Sequence, residues 1–132
     1  MELLIIVFLL GGLFLGWSLG ANDAANVFGT AVGTRMVQFK TAAIICSLFV
    51  ILGAIISGSG TTETLGKLGS INALPGAFAA CVAAGVSVYI MTKLGLPVST
   101  TQAIVGAIIG WNLYTGSSTN IQVLMTILST WV

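Results

Sequence analysis

The chain has 132 residues, of which 57% are hydrophobic and only 5% are charged, and its formal net charge is +1. Soluble domains carry roughly 25% charged residues, so this composition cannot cover a soluble surface. It also excludes a basic surface for nucleic acid, and the absence of histidine removes the commonest catalytic base and metal ligand. We therefore predict a membrane protein that is not an enzyme and has no nucleic-acid partner.

Four long uncharged runs separate the charged residues: residues 3–22, 41–62, 68–92 and 94–132. Each run is long enough for the roughly 20 residues that a membrane-spanning helix needs. We predict an all-α polytopic protein of the cell membrane, embedded in the lipid bilayer. Residues 1–132 are expected to form a single transmembrane unit.

The first apolar stretch predicts a helix over residues 3–19. No basic segment precedes it and no clear cleavage site ends it, so we expect it to be retained rather than removed as a signal peptide. Gly12, Gly16 and Gly20 share one face of this helix, which favours close packing of another helix. Because Gly20 weakens the helix locally, residues 21–34 are predicted to form a second half-helix after a break.

Polar residues cluster in the second half-helix. Asn22, Asn26 and Thr30 lie at a spacing of four and share one face, and Asp23 lies beside them. A charge inside a membrane costs about 2.5 to 3.5 kcal/mol on insertion scales, so Asp23 is a functional candidate by default. The alternative for the asparagines is hydrogen bonding between helices, which explains Asp23 poorly.

The side chains in this cluster offer oxygen ligands, which suit hard cations. Broken helices bind coupling ions in this way in secondary transporters. We predict a cation site formed by Asn22, Asp23, Asn26 and Thr30, with Asp23, Asn22 and Asn26 as ligands of Na⁺. Na⁺ is preferred over H⁺ because the oxygen ligands are mostly neutral and there is no histidine to relay protons, although Asp23 is an alternative proton carrier.

The middle of the chain predicts a helix over residues 39–57, a glycine- and threonine-rich loop over residues 58–74, and an apolar stretch over residues 76–94. Arg35 and Lys40 precede the first of these. By the positive-inside rule they favour the cytoplasmic side, with the N-terminus outside.

The apolar stretch leads into a Gly-Leu-Pro-Val-Ser-Thr-Thr-Gln sequence at residues 95–102. Ser99 followed by Gln102 is typical of a capping box, so a helix is predicted over residues 100–113. That helix is too short to span at about 1.5 Å per residue. Two apolar segments that meet at this tip therefore predict a re-entrant hairpin. A polar turn over residues 114–120 and a last helical segment over residues 121–132 follow.

The predicted helix start at the tip is also a candidate anion site. A helix N-terminus presents unpaired N–H groups and a partial positive charge. Three hydroxyl groups accompany it, those of Ser99, Thr100 and Thr101. We predict that these residues bind a small oxyanion. The alternative is that Ser99 only caps the helix.

Two segments together resemble the inorganic phosphate transporter family, the sodium–phosphate symporters. They are Gly20-Ala21-Asn22-Asp23-Ala24-Ala25-Asn26-Val27-Phe28-Gly29-Thr30 and Gly95-Leu96-Pro97-Val98-Ser99-Thr100-Thr101, the latter followed by Ile104-Val105-Gly106-Ala107-Ile108-Ile109-Gly110. Their order and spacing also match, and the resemblance covers most of the chain. It implies two inverted repeats, each with one Ala-Asn-Asp and one Pro-Val-Ser-Thr-Thr motif.

The chain has one copy of each motif, so it resembles the first inverted repeat, truncated in its last helix. Gln102 stands where many relatives have histidine. The resemblance implies that the chain contributes a half-site for cation-coupled symport of inorganic phosphate. Phosphate is expected at the three hydroxyl residues and sodium at the polar cluster, with a second transporter half in the same gene or a separate chain. We also expect a homo-oligomer.

Two other functions fit the same sequence features. A pore-lining channel subunit would share the polar tip but need an open water path, and its flux would neither saturate nor couple to a second ion. A non-transporting membrane scaffold would pack through its Gly-x-x-x-Gly faces and tolerate Asp23→Ala and Thr100→Ala. None of these functions calls for a resident cofactor.

Overall fold

A computed structural model describes residues 2–69 and 74–131 of the chain. The regular secondary structure of these residues is entirely helical: α1 (Glu2–Gly33), α2 (Phe39–Leu68), α3 (Leu74–Lys93), α4 (Thr100–Thr115) and α5 (Ile121–Ser129). Helices α1, α2 and α3 are long and apolar enough to cross a membrane. The prediction of an all-α, multi-pass integral membrane protein is therefore confirmed.

Helices α1 and α3 pack closely and in parallel. A Cβ atom added at Gly11 would lie 2.7 Å from the ring of Phe78, and one added at Gly85 would lie 2.8 Å from the ring of Phe14. Each aromatic ring thus occupies the space left by a glycine on the opposite helix. Because the contacts advance in the same direction along both helices, the C-terminal end of α3 lies beside the second half of α1.

Helix α4 turns back along α3. A Cβ atom added at Gly76, in the first turn of α3, would lie 2.9 Å from the indole of Trp111, near the end of α4. The small apolar core between α2, α3, α4 and α5 contains Leu68, Ala80, Val105, Ile108 and Ile127. This antiparallel pair places the segment between Lys93 and Thr100 next to α1.

The predicted break at Gly20 is wrong, because α1 continues as one helix from Glu2 to Gly33. One glycine costs about 1 kcal/mol relative to alanine. Opening the helix in apolar surroundings would expose N–H and C=O groups at several kcal/mol each. The intact helix also lacks the free backbone carbonyls that a break would have offered to a cation.

The predicted loop over residues 58–74 is also largely helical. Helix α2 extends to Leu68, and part of the remainder, residues 70–73, lies outside the described residues. The hydroxyls of Thr62 and Thr64 donate to the carbonyls four residues earlier, and Lys67 pairs with Glu63 one turn away. These local bonds satisfy the polar groups, so the helix continues through a sequence that favours turns.

The glycine face of α1 was predicted to pack against another helix. In the described residues nothing lies within 4 Å of a Cβ added at Gly12, Gly16 or Gly20. The close approach uses Gly11 on the neighbouring face instead, so the prediction is wrong for contacts within this chain. The spacing identified a small-residue face but did not indicate which face meets α3.

The remaining predicted elements agree with the structure. Helix α4 matches the segment predicted over residues 100–113, and α5 lies within the segment predicted over residues 121–132, of which Val132 is outside the described residues. With 20 residues, α3 is about 30 Å long and could cross the bilayer by itself. The depth of the tip in the membrane, and hence the re-entrant geometry, stays a prediction.

The packing of α1 on α3 predicts opposite effects for two adjacent substitutions. Gly11→Ala should lower the melting temperature of the purified protein, because overpacking costs typically about 1 to 3 kcal/mol. Gly12→Ala should leave it unchanged or raise it, because its Cβ meets open space and alanine favours the helix by up to about 1 kcal/mol. Equal melting temperatures for the two variants would contradict this packing.

Candidate functional site

The tip between α3 and α4 is built by strong local signals. Gly95 has a φ of 72°, a left-handed conformation that favours glycine. Its N–H donates to the carbonyl of Thr92, and the N–H of Leu96 donates to the carbonyl of Met91, which is a Schellman end for α3. Pro97 follows and cannot continue a helix. The chain is thereby held extended up to the start of α4.

Ser99 caps α4 as predicted. Its Oγ accepts a hydrogen bond of 3.3 Å from the N–H of Gln102, which leaves its hydroxyl proton free to donate. The N–H groups of Thr100 and Thr101, in the first turn, have no hydrogen-bond partner among the described residues. The tip thus presents two backbone donors and a hydroxyl donor at the positive end of the helix dipole.

The two predicted sites meet in one cavity of about 360 Å³. The hydroxyl of Thr100 donates a 3.0 Å hydrogen bond to Oδ2 of Asp23, although the two residues are 77 positions apart. Thr100 is buried, whereas Asp23 is partly exposed to the cavity. The lining residues are Asp23, Asn26, Pro97, Val98, Ser99, Thr100 and Thr101.

A chain of hydrogen bonds supports the α1 side of the cavity from behind. The amide nitrogen Nδ2 of Asn22 donates to Oγ1 of Thr92 on α3 over 2.9 Å. Nδ2 of Asn26 in turn donates to Oδ1 of Asn22 over 3.2 Å. Asn22 is only 4% exposed, so its amide connects α1 to α3 rather than facing the cavity.

The cavity has one ionisable group, the carboxylate of Asp23, and no lysine or arginine among its lining residues. It therefore carries a formal charge of −1 on the α1 side and a partial positive charge from the start of α4 on the other. No cluster of three or more histidine, cysteine, aspartate or glutamate residues occurs in residues 2–69 and 74–131. The donor set suits a small monovalent cation more than Ca²⁺, which usually takes several carboxylates.

The structure brings five of the seven predicted site residues into this cavity: Asp23, Asn26, Ser99, Thr100 and Thr101. Asn22 lies directly behind them. Thr30 is exposed, lies two helical turns beyond Asn22, or about 12 Å along the axis, and does not line the cavity.

Thr92 is the contributor that sequence reasoning missed. It is a threonine in the last turn of an apolar helix, just before a predicted tip. That position was the available signal, because a polar side chain near irregular backbone in a membrane has a reason to be retained. A threonine in a helix also commonly bonds its own backbone, so the signal was weak.

Comparison with known protein families gives a match that includes both segments lining the cavity. Residues 19–132 match the Phosphate transporter family. A protein of Pyrococcus furiosus named as a candidate phosphate permease is 34% identical over 98% of this chain and 34% of its own length. Similarly named proteins of Chlamydia pneumoniae and Methanocaldococcus jannaschii are each 38% identical, over 88% and 94% of this chain and 29% and 40% of their own lengths.

No solved structure is significantly similar to the chain. The chain spans about a third of the length of the curated relatives it matches. The family match covers both segments that line the cavity, from the second half of α1 to the start of α4. The chain belongs to the phosphate transporter family.

Proposed function

We propose that the chain contributes a half-site for symport of inorganic phosphate with a cation, and that the cation is Na⁺. The observation that carries this proposal is the hydrogen bond between Thr100 and Asp23. It makes the predicted anion site and the predicted cation site two sides of one cavity. Family membership and the names of the relatives support phosphate as the substrate.

Phosphate is assigned to the α4 side of the cavity. The N–H groups of Thr100 and Thr101 and the hydroxyls of Ser99 and Thr101 are donors without acceptors among the described residues. Charge-assisted hydrogen bonds from such donors to an oxyanion are the strong kind. The hydroxyl of Thr100 is engaged with Asp23, so this residue offers its backbone N–H to the anion.

The carboxylate beside this anion site makes a cation necessary. Two unit charges about 4 Å apart interact by about 4 kcal/mol at an effective dielectric of 20. Asp23 and phosphate would repel on that scale, and no basic side chain lines the cavity to offset it. A cation held by Asp23 and Asn26 reverses the sign of this interaction. Asn22 supports these ligands, and Thr30, one turn beyond Asn26, does not line the cavity.

The other half of the transport site is assigned to a second transporter half, an inverted repeat encoded in the same gene or as a separate chain. The short length of this chain relative to its relatives supports that assignment. A homo-oligomer of the complete transporter is proposed as the working assembly. The first measurement is uptake of labelled phosphate into proteoliposomes that contain the complete transporter, this chain together with the second half. Saturable uptake driven by a sodium gradient supports symport, whereas non-saturating flux would indicate a channel and no flux a scaffold.

The phosphate assignment predicts a loss of affinity in Thr101→Val. The variant removes a free hydroxyl at the cavity, while the hydrogen bond by which Ser99 caps α4 remains. A hydrogen bond to a charged group contributes about 1.5 to 3 kcal/mol, so half-saturating phosphate should rise about tenfold or more. Thr115→Val is the control, because its hydroxyl bonds only within the other end of α4 and its neighbouring turn. Equal phosphate affinity in both variants would contradict the assignment.

The preference for Na⁺ predicts uptake in a sodium gradient at constant pH. The reason is that the cavity offers one carboxylate with neutral oxygen atoms and no histidine. The measurement compares a sodium gradient with a pH gradient imposed in sodium-free buffer. Uptake driven by the pH gradient alone would show that protons are the coupling ion and would overturn the preference for Na⁺.

The charge on Asp23 predicts coupling between the two ligands. Asp23→Asn keeps an acceptor for the Thr100 hydroxyl, so the fold should be retained while the sodium dependence of phosphate binding is weakened. Glu63→Gln is the control, because it removes a carboxylate that pairs with Lys67 on the exposed part of α2. Phosphate binding is measured across a sodium titration. The same sodium dependence in wild type and Asp23→Asn would show that Asp23 is not the coupling ligand.

A further inference from the structure

We propose that Thr92 is a positioning residue that turns the amide oxygen of Asn26 towards the cation site. Thr92 lies outside both of the segments that line the cavity. The inference rests on the proposed cation site beside Asp23. It is carried by the direction of three consecutive hydrogen bonds from α3 to the cavity.

The backbone carbonyl of Val88 sets the donor and acceptor of the first hydrogen bond. The hydroxyl of Thr92 donates to the carbonyl oxygen of Val88 over 2.8 Å. A carbonyl can only accept, and a hydroxyl has one proton. With that proton used, Oγ1 of Thr92 can only accept from its second neighbour, Asn22.

The buried amide of Asn22 then sets the direction of the next hydrogen bond. Asn22 must present its NH₂ group to Thr92, and Nδ2 lies 2.9 Å from Oγ1. Its carbonyl oxygen Oδ1 is thereby fixed on the other side, where it accepts from Nδ2 of Asn26 over 3.2 Å. Because Asn22 is 4% exposed, water offers little compensation for a reversed amide.

The last link determines which atom Asn26 offers to the cavity. Its Nδ2 is engaged with Asn22, and its Oδ1 has no partner among the described residues. Asn26 lines the cavity together with Asp23. An amide oxygen beside a carboxylate attracts a cation, whereas an NH₂ group in the same place would repel it. Thr92 thus selects the atom that Asn26 offers to the cation, although Asn22 and Asn26 both lie between Thr92 and the ion.

The inference is tested by cation binding alone, without phosphate. Thr92→Val removes the acceptor with little change in side-chain size, and Thr92→Ser restores it. Ser87→Ala on the same helix is the control, because the Ser87 hydroxyl bonds only to the carbonyl of Ala83. The measurement is the melting temperature of the purified protein in lipid nanodiscs as Na⁺ replaces choline at constant ionic strength.

We expect the sodium concentration for half-maximal stabilisation to rise about tenfold in Thr92→Val, the loss typical of residues that orient metal ligands. Thr92→Ser and Ser87→Ala should behave as wild type. If Thr92→Val is not recovered as folded protein, Thr92→Cys carries the same expectation, because sulfur is a weak acceptor of similar size.

Two results would overturn the inference. One is a melting temperature lowered equally in Na⁺ and choline, with the half-maximal sodium concentration unchanged, which is the behaviour of a merely structural residue. The other is a wild-type protein that sodium does not stabilise relative to choline. The proposed symport is judged separately by phosphate uptake. Absence of uptake alongside a Thr92-dependent sodium response would contradict symport and leave the inference standing.

Discussion

The hydrogen bond from Thr100 to Asp23 links the single carboxylate of the cavity to the start of α4. In apolar surroundings a charged group is costly unless it is paired or hydrogen-bonded, so this contact constrains where the tip can sit on α1. Its length depends on how closely α1 approaches α3. Gly11 and Gly85 permit that approach, because each makes room for a ring from the opposite helix. The geometry of the cavity therefore depends on how closely the helices pack.

Local features of the site were predictable from the sequence because they depend on neighbours along the chain. Gly95, Pro97 and Ser99 specify the end of one helix and the start of the next, and the spacing of Asn22 and Asn26 places them on one face. That the two motifs form a single cavity was not predictable from spacing. It depends on the parallel packing of α1 on α3, which is determined by the shapes and volumes of the side chains between the two helices.

The two wrong predictions of helix breaks share a physical cause. Gly20 and the glycine-rich stretch after Ser57 predict breaks because glycine weakens helices in water. In a membrane an opened backbone loses hydrogen bonds that no solvent replaces, so the helices continue. Near the cavity the irregular backbone lies instead at the tip, where a Schellman end and a serine cap satisfy part of the exposed groups. Thr92 was missed because its role depends on Asn22, 70 residues away.

In the proposed site, the unbroken α1 and the capped tip bind different ions. In this proposal helix α1 would hold the cation ligands as side chains on a rigid element, and the tip would offer the anion its backbone N–H groups. Two hydrogen bonds join these parts, from Asn22 to Thr92 and from Thr100 to Asp23. A typical hydrogen bond contributes about 1 kcal/mol net, and one to a charged group about 1.5 to 3 kcal/mol. Coupling free energies between ligands are typically about 1 to 3 kcal/mol, which is the same range. The coupling free energy between a cation and an anion bound on opposite sides of this junction would therefore be similar in size to the hydrogen bonds that hold the tip on α1. Either ligand would raise the affinity for the other by the same factor.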